Sequence, residues 1–485
     1  MHLQLDGTGP LYQQLARALK TMPRALPGRN EQPLPSTRTL AAQLGIGRNS
    51  VKAAYEQLVS EGAAIARPGS GTCLVAGLAT HPAPPAASSS QPPTPFAARA
   101  REALHGASAL KPHGVRFDFQ YGNPVHDAGL HDQWRRSVLH ALAAAPASYP
   151  PLQGVPELRH AVADYLRRRR GIGCTADDVL IVSGTQQALA LSARILVEPG
   201  TPVALEEPSY FAARQIFHAA GAQVCLIPSD QDGMQVEHLP LPAPRLISVA
   251  PANQFPSGAV LSGPRRQQLL QYAEQHGSYV LEDDYDSELR FGARPLPALK
   301  ASGDGERVIY SGTFSKIMFP SLRLGYLVVP RALQRDFASA KFLADMGHPA
   351  LEQYAMAHFM QEGRFERHIG RFVRALAERR AALVAGLAAI PHTPFVFDSA
   401  GRGTYLAAWL PGYTDAQVAR LIAHALPYGL GLYSLAPHYP QRAAGAGLLF
   451  GFAGLSLANL QAGTAVLARC IADARAEGII PPGES

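Results

Sequence analysis

The sequence predicts two domains of different class: an α+β winged helix-turn-helix domain over residues 1–76 and an α/β domain over residues 113–482. Two short helical patterns and two apolar runs come first, whereas the longer part has apolar strands that end in polar residues. Residues 79–95 are rich in Pro, Ala and Ser and almost free of charge, so they predict a linker, which we place at 77–112. We expect a large α/β part at 145–345 and a smaller carboxy-terminal α/β part at 346–482, since 485 residues suffice for several cores.

The amino-terminal helical patterns meet at Gly45 and are typical of a helix-turn-helix. The second pattern opens with Arg48, Asn49 and Ser50, and Lys52 follows within one turn, so these side chains can reach base edges and phosphates together. Residues 62–75 add two apolar runs around a Pro-Gly-Ser-Gly turn, which indicates a β-hairpin wing. A protein-binding or purely structural unit is the alternative when only the pattern is considered.

The charge distribution favours a nucleic-acid partner for this first domain. The chain has a net charge of +7, and residues 1–80 hold eight Lys or Arg residues against four Asp or Glu residues. This asymmetry suits a phosphate backbone, although basic termini also occur in proteins that bind no nucleic acid. A second basic run, residues 167–170, ends a helical pattern, and we expect it to be a solvated face near the helix terminus.

Residues 312–326 of the second domain carry a lysine and an arginine seven residues apart, on a loop that leads into a strand. Lys316 can form an imine with an aldehyde if its amine is kept unprotonated in a partly desolvated pocket. The hydroxyls of Thr313 and Ser315, together with Arg323, suit a phosphate dianion. The segment therefore predicts a pyridoxal phosphate site, with an ordinary surface turn as the alternative.

Two upstream segments support that prediction. Residues 278–283 form an apolar strand that ends in carboxylates, where Asp283 can keep a pyridine nitrogen protonated and Tyr285 can donate to the ring hydroxyl. A solvated acidic turn fits Glu282, Asp286 and Glu288 better. Residues 179–191 run from a strand through a small polar turn into a helix, which predicts an anion cradle, although many such turns bind nothing.

These three segments, in this order, resemble the fold-type-I aminotransferase superfamily over residues 115–480. The resemblance implies that Lys316 is the imine lysine of pyridoxal 5′-phosphate, Asp283 the partner of the ring nitrogen and Tyr285 the partner of the ring hydroxyl. It implies further cofactor contacts from Gly184, Thr185, Gln186, Thr313 and Arg323 at the phosphate, from Tyr210 stacked on the ring, and from Tyr149 across a dimer interface. Phe255 stands where the family has an asparagine, and whether Asn253 recovers that contact stays open.

Residues 10–75 resemble the winged helix-turn-helix of GntR-family regulators almost end to end. The DNA contacts implied by this resemblance are Ser36, Arg38, Arg48, Asn49, Ser50, Lys52 and Gly69. The combination of the two domains resembles the MocR subfamily of bacterial transcriptional regulators. That resemblance implies a homodimer that binds a double-stranded DNA operator.

Two functions from different classes follow. In the first, the chain is a transcriptional regulator whose second domain senses pyridoxal phosphate, alone or with an amine or amino-acid effector. In the second, it is an active aminotransferase with a DNA-binding appendage. Leu449 stands where aminotransferases of the superfamily commonly have a carboxylate-binding arginine, so we expect at most residual aminotransferase activity. Arg402 and Arg442 are candidate substitutes for that arginine.

The remaining sequence features argue against other classes. The four cysteines (73, 174, 225 and 470) are far apart and lack paired histidines, so neither a disulfide framework nor a metal site is indicated. The amino terminus has no signal-peptide pattern, and no uninterrupted apolar run reaches membrane length. We therefore expect a cytoplasmic protein.

Overall fold

The computed structural model describes residues 3–22, 31–68, 71–75, 92–107, 114–123, 127–292, 296–303, 305–393, 395–397, 401–440 and 445–481. The chain divides into two compact units, Met1–Pro92 and Pro93–Ser485. Each unit has its own hydrophobic core.

The first unit has the predicted α+β winged helix-turn-helix fold. Its helices are α1 (Leu11–Lys20), α2 (Thr37–Leu44) and α3 (Arg48–Ser60), and its strands are β1 (Glu31–Pro33), β2 (Ala64–Arg67) and β3 (Gly71–Val75). Helix α2 ends at Gly45, whose φ of 65° is a left-handed conformation that glycine adopts without a steric penalty. The core is formed by apolar side chains from all three helices, among them Leu15, Leu19, Leu40, Val51 and Leu58.

The wing has one strand more than the sequence predicted. Strands β2 and β3 form the expected antiparallel hairpin, and β1 pairs antiparallel with β3 to give the order β1-β3-β2. An ion pair joins Arg67 to Glu31 across this sheet, with 2.6 Å between nitrogen and oxygen. Strand β1 is three residues long and ends at Pro33, too short for a period-two pattern to reveal it.

The second unit alternates helices with strands. Its helices are α4 (Pro95–Ala107), α5 (Ala128–Ala144), α6 (Pro156–Arg170), α7 (Gly184–Leu196), α8 (Phe211–Ala220), α9 (Gly263–His276), α10 (Gln334–Asp345), α11 (Ala350–Gln361), α12 (Arg364–Ala388), α13 (Asp415–Ala425) and α14 (Leu457–Ala476). Its strands are β4 (Phe117–Asp118), β5 (Val179–Val182), β6 (Pro202–Glu207), β7 (Gln223–Asp230), β8 (Gly233–Met234), β9 (Leu246–Val249), β10 (Tyr279–Asp284), β11 (Val308–Thr313), β12 (Gly325–Val328), β13 (Val396–Phe397), β14 (Tyr405–Trp409), β15 (Leu430–Gly431) and β16 (Gly447–Gly451).

The large sheet has the order β5-β12-β11-β10-β9-β6-β7-β8. Strands β11, β10, β9, β6 and β7 are parallel, whereas β12 runs antiparallel to both of its neighbours. The central strands are buried on both faces, as in parallel sheets covered by helices on either side. Their carboxyl ends therefore meet at one edge, where open α/β sheets bind ligands.

The smaller part is built on an antiparallel sheet of order β13-β14-β16. A separate short pairing joins β4 in parallel to β15, with Phe117 opposite Leu430. Residues near the start of the α/β domain are thereby tied to its carboxy-terminal part. The loop after β4 begins at Phe119, whose N–H group donates to the Gly431 carbonyl of β15.

Helix α4 lies inside the range predicted as a linker. The Arg99 guanidinium donates to the carbonyl of Ala219 over 3.0 and 3.1 Å, next to the end of α8, and Glu102 lies 3.6 Å from the His218 ring nitrogen. The linker prediction is therefore wrong for residues 95–107, because these residues combine good helix formers with docking contacts. Residues 76–91, the rest of the Pro-rich stretch, lie outside the described residues.

The basic run at the end of α6 is not uniformly solvated. Arg170 is 1% exposed, and its guanidinium lies 2.5 Å from the carboxylate of Asp284, which also accepts from the Tyr310 hydroxyl over 2.5 Å. Arg168, by contrast, is exposed and pairs with Glu366 at the surface. The solvated-face prediction is wrong for Arg170 because the end of β10 supplies a buried carboxylate that needs a counter-charge.

We expect Arg170→Met to destabilise the protein by about 3–5 kcal/mol, because it leaves the Asp284 carboxylate buried without its cation. Arg168→Met removes the same side chain two residues earlier at the surface, and it should change the free energy of unfolding by about 0.5 kcal/mol or less. Urea unfolding followed by circular dichroism measures both. Equal losses in the two variants would contradict the role given to Arg170.

Candidate functional site

A cavity of about 340 Å³ opens at the carboxyl ends of the central strands. Strands β6, β9, β10 and β11 each contribute to its wall, and so do the start of α7 and the loop that leads into β12. The cavity brings together most of the predicted cofactor contacts, namely Thr185, Gln186, Tyr210, Asp283, Tyr285, Thr313, Ser315, Lys316 and Arg323.

Lys316 lines this cavity. Burial lowers the pKa of Lys316, while the carboxylates of Asp286 and Asp283 act in the opposite direction. Gly122 faces the amine so closely that a Cβ atom at residue 122 would lie 3.0 Å from the Lys316 nitrogen. A side chain at Gly122 would therefore crowd the group that is predicted to react.

Asp283 presents an unused acceptor at the end of β10. Its Oδ1 atom is buried and has no hydrogen-bond partner among the described residues. Burial, with the nearby carboxylate of Asp284, raises the pKa of Asp283 to about 7. A buried acceptor left without a donor is costly, so this atom is suited to a ligand that brings a proton.

The part of the cavity around Arg323 is suited to an anion. The Arg323 guanidinium donates to the Ser183 carbonyl over 3.1 Å and lies 3.6 Å from the position that a Cβ of Gly184 would take. Arg323 has a φ of 48°, an uncommon conformation for a non-glycine residue that tends to occur at functional sites. The Thr313 and Ser315 hydroxyls are 3.1 Å apart beside it.

Tyr285 is engaged within the protein. Its hydroxyl donates to the Asn253 carbonyl over 2.8 Å and lies 3.0 Å from the Tyr405 hydroxyl. The Asn253 amide donates to Asp286 over 2.6 Å, and Asn253 does not line the cavity. The predicted contacts of Tyr285 and Asn253 with the cofactor therefore stay predictions, and the Oδ1 atom of Asn253 has no hydrogen-bond partner among the described residues.

The acidic segment at the end of β10 is not a solvated turn. Glu282 and Asp286 are buried, and the Glu282 carboxylate accepts from the backbone N–H groups of Leu299 and Lys300 over 2.7 and 2.9 Å. Glu288 is partly buried and accepts from the Tyr165 hydroxyl over 2.5 Å. The solvated-turn prediction is wrong for these carboxylates because backbone, amide and phenol donors compensate their burial.

Tyr149 is placed apart from this cavity. Its side chain is 84% exposed, and it does not line the cavity of its own chain. Its predicted role across a dimer interface stays a prediction.

In the first unit, the predicted DNA contacts cluster around the starts of α2 and α3. Arg38, Arg48, Asn49 and Lys52 are exposed, and Ser50 is partly buried. The Arg48 Nε atom lies 3.4 Å from the Thr37 hydroxyl, while Lys52 lies 3.6 Å from Glu56. Ser36 has a structural role as well, since its Oγ atom caps α2 by accepting from the N–H of Thr39 over 3.1 Å. Gly69 lies outside the described residues.

Comparison with known proteins identifies both units. Residues 11–74 match the gntR family of bacterial regulatory proteins, and residues 118–407 match the aminotransferase class I and II family. The chain is 36% identical over 401 residues to the probable rhizopine catabolism regulatory protein MocR of Rhizobium meliloti. The alignment covers 79% of this chain and 78% of that protein. The chain belongs to the MocR subfamily of GntR-family transcriptional regulators.

A second regulator and a solved aminotransferase structure are also similar to this MocR-type chain. The pyridoxine biosynthesis transcriptional regulator PdxR of Corynebacterium glutamicum is 30% identical over 420 residues, which is 87% of each chain. The crystal structure of LysN, an α-aminoadipate aminotransferase from Thermus thermophilus complexed with N-(5′-phosphopyridoxyl)-L-leucine, superposes with a TM-score of 0.68 at 28% identity. The superposition covers 78% of this chain and 95% of LysN. The fold-type-I fold of the second unit is thereby confirmed.

The cavity of this MocR-type regulator fits pyridoxal 5′-phosphate, the cofactor of the fold-type-I domain. The unpartnered Oδ1 atom of Asp283 matches a protonated ring nitrogen, and the buried amine of Lys316 matches an aldehyde. For the phosphate, Arg323 supplies cationic donors and the start of α7 supplies backbone N–H donors. The donor set therefore agrees with each polar part of the cofactor.

Several cavity residues were missed by sequence reasoning. Gly122 and Tyr121 come from a loop after β4 that carries no strand or helix pattern, and Tyr405 comes from β14 in the smaller part. Glu206 lines the cavity from β6. A carboxylate near the end of an otherwise apolar strand was a usable signal for Glu206, whereas only the tertiary fold brings the other three residues to the cavity.

Arg402, one candidate for a carboxylate-binding arginine, does not line this cavity. Leu449 is fully buried, and Arg402 lines a separate cavity with Trp409 and Tyr439. Arg442 lies outside the described residues.

No group of three or more possible metal ligands occurs among the described residues, and none of the described helices is long and apolar enough to cross a membrane.

We expect Glu206→Gln to change the pH dependence of stability. Burial raises the pKa of Glu206 from 4.5 to about 8, so the folded state holds a proton that the unfolded state releases between these pH values. The contribution of Glu206 to stability is therefore fully present below pH 4.5 and is lost as the pH rises towards about 8, by about 1.4 kcal/mol per pH unit within that window.

Glu206→Gln removes this titration, and the cofactor-free variant should lose less stability than the wild type between pH 5 and pH 7. Glu274→Gln changes a carboxylate that is 68% exposed in the same unit, and it serves as the control. Urea unfolding across the pH range measures the difference. Parallel profiles for wild type and Glu206→Gln would contradict the buried, protonated state of Glu206.

Proposed function

We propose that this MocR-type regulator binds duplex DNA through α3 and the wing, and that the pyridoxal phosphate held in its second unit senses a small primary amine or amino acid. The observation that carries the proposal is the joint presence, in one chain, of an exposed basic helix start and a cavity that contains Lys316, Asp283 and Arg323. The names of the relatives MocR and PdxR support a regulator in preference to a stand-alone enzyme.

In the proposed site, Lys316 holds the aldehyde carbon, Asp283 the ring nitrogen and Arg323 the phosphate. The cofactor supplies a carbonyl that exchanges one amine for another, and a ring that withdraws electrons. Lys316 suits this exchange because its lowered pKa favours the unprotonated amine. Asp283 and Arg323 orient the two ends, so that an incoming amine meets a fixed geometry.

An active aminotransferase is the second candidate function. The cavity retains the lysine that could act as a base, and this is the observation in its favour. A fast enzyme must also fix its substrate so that the correct bond is aligned, and Arg402, the candidate arginine among the described residues, does not line this cavity. We therefore favour ligand exchange over rapid turnover.

We also propose that the protein acts as a homodimer. Tyr149 is exposed next to Pro150, which lies 3.5 Å from the position that a Cβ of Gly347 would take. Leu343 and Met346, in the same region, are 78% and 53% exposed. A second copy would cover these apolar side chains and give Tyr149 a partner.

We expect the purified protein loaded with pyridoxal phosphate to absorb in the visible range, and borohydride to fix the cofactor on Lys316. Lys316→Ala should lose that band, whereas Lys52→Ala, the same change on the exposed face of α3, should keep it. Asp283→Asn should weaken cofactor binding, because the ring nitrogen loses its counter-charge. Absorbance spectra and peptide mapping test this assignment, and an unchanged band in Lys316→Ala would refute it.

We expect Arg48→Ala to weaken binding to a selected high-affinity duplex by about 1–3 kcal/mol, with a smaller effect on random DNA, if Arg48 contacts a base edge. Arg17→Ala also removes an exposed cation from the first unit, but one that pairs with Asp6 and lies outside α3, so it should have little effect. Fluorescence anisotropy at several salt concentrations measures both. An equal loss on selected and random DNA would reassign Arg48 to a phosphate contact.

A further inference from the structure

The chemical class of the effector can be inferred from the charges in the cavity. Among the described residues that line it, the cationic side chains are Lys316 and Arg323, and the acidic side chains are Glu206 and Asp283. The proposed function commits Lys316 to the aldehyde and Arg323 to the phosphate. No lining cation is then left for an additional carboxylate, and a bound phosphate dianion would repel one.

The wall beside this site is aromatic. The Phe255 ring lies at its centre, with ring centroids 5.0 Å from Tyr405, 5.6 Å from Tyr121 and 6.0 Å from Tyr210. All four rings line the cavity. Such a wall offers apolar area and edge-to-face contacts to a ligand, and its three tyrosines add neutral hydroxyl groups but no cation to pair with a carboxylate.

Apolar side chains also pack against this aromatic wall. Leu449 is fully buried and packs in one cluster with Phe255, Tyr405 and Leu435. Its backbone is fixed in β16, opposite Ala407 of β14, and its N–H group donates to the Tyr433 carbonyl over 2.8 Å. A carboxylate directed towards Leu449 would be desolvated without a cation in return.

We propose that the effector is a primary amine with an apolar or aromatic body and without a carboxylate next to its amine. The inference rests on the proposed function, because it assumes that Lys316 and Arg323 hold the cofactor. It narrows that function, since an ordinary α-amino acid would place its carboxylate among acidic and aromatic groups.

The test compares matched ligands on the full-length protein loaded with pyridoxal phosphate. The pairs are 2-phenylethylamine with L-phenylalanine and 3-methylbutylamine with L-leucine, and each pair is compared at the same concentration of unprotonated amine. We expect each amine to bind at least about tenfold tighter than its amino acid, and 2-phenylethylamine to bind at least about tenfold tighter than methylamine. Absorbance titration measures both ratios.

Two variants and their controls locate the preference. Leu449→Arg should shift the ratio towards the amino acids, whereas Leu449→Met, of similar volume and without charge, should not. Phe255→Leu keeps an apolar residue but removes the central ring, so it should reduce the preference for 2-phenylethylamine over 3-methylbutylamine by about fivefold. If Leu449→Arg fails to fold, the ratios of the wild type and of Phe255→Leu still decide.

The outcomes separate the two levels of the proposal. Amino acids that bind as tightly as their matched amines to the wild-type protein would overturn the inference and leave cofactor binding and DNA binding intact. A protein that never forms the visible band would overturn the proposed function, and the inference with it. A band that changes with the amines, but not with the amino acids, is the expected result.

Discussion

The burial of several carboxyl groups at the end of β10 is the constraint on which the site depends. Glu282 is compensated by backbone N–H groups, and Asp284 by Arg170 and the Tyr310 hydroxyl. Asp283 lies between them and, by the alternation of a strand, belongs to the other face, where its Oδ1 atom stays without a donor. The neighbours are satisfied within the protein, so this one acceptor is left for a ligand. Arg170 thus links the end of α6 to the chemistry of the cavity, because it pairs with the carboxylate next to Asp283 in the chain.

This arrangement explains which parts of the molecule the sequence could predict. The helix-turn-helix, the order of the strand-to-helix segments, and the placement of Lys316, Asp283 and Arg323 around one cavity follow from local patterns. Short-range regularities carry those features: strand ends, small polar turns and the spacing of basic side chains. The extra wing strand β1 is too short to have a period, and α4 was hidden by the Pro-rich residues that precede it.

The errors have a common physical cause. Arg170, Glu282 and Asp286 were assigned to solvent because charged residues are rarely buried when their partners are unknown. Each is buried here because a distant segment supplies its partner: β10 for Arg170, the residues after 298 for Glu282, and Asn253 for Asp286. Gly122 and Tyr405 were missed for the same reason, since two segments far apart in the chain form one wall. A single sequence without structure does not contain these pairings in a local pattern.

The site also separates binding from catalysis in physical terms. Amine exchange needs an unprotonated Lys316 and an oriented cofactor; burial favours the first by lowering the pKa of Lys316, and in the proposed site Asp283 and Arg323 supply the second. Turnover needs, in addition, that the exchanged amine be fixed in one orientation, and ion pairing with a guanidinium is a strong way to fix it. The aromatic wall around Phe255 holds a ligand by area and ring contacts, which depend less on direction than a bidentate ion pair does. A cavity that binds amines in this way is suited to reporting their presence, because occupancy alone is enough for a signal.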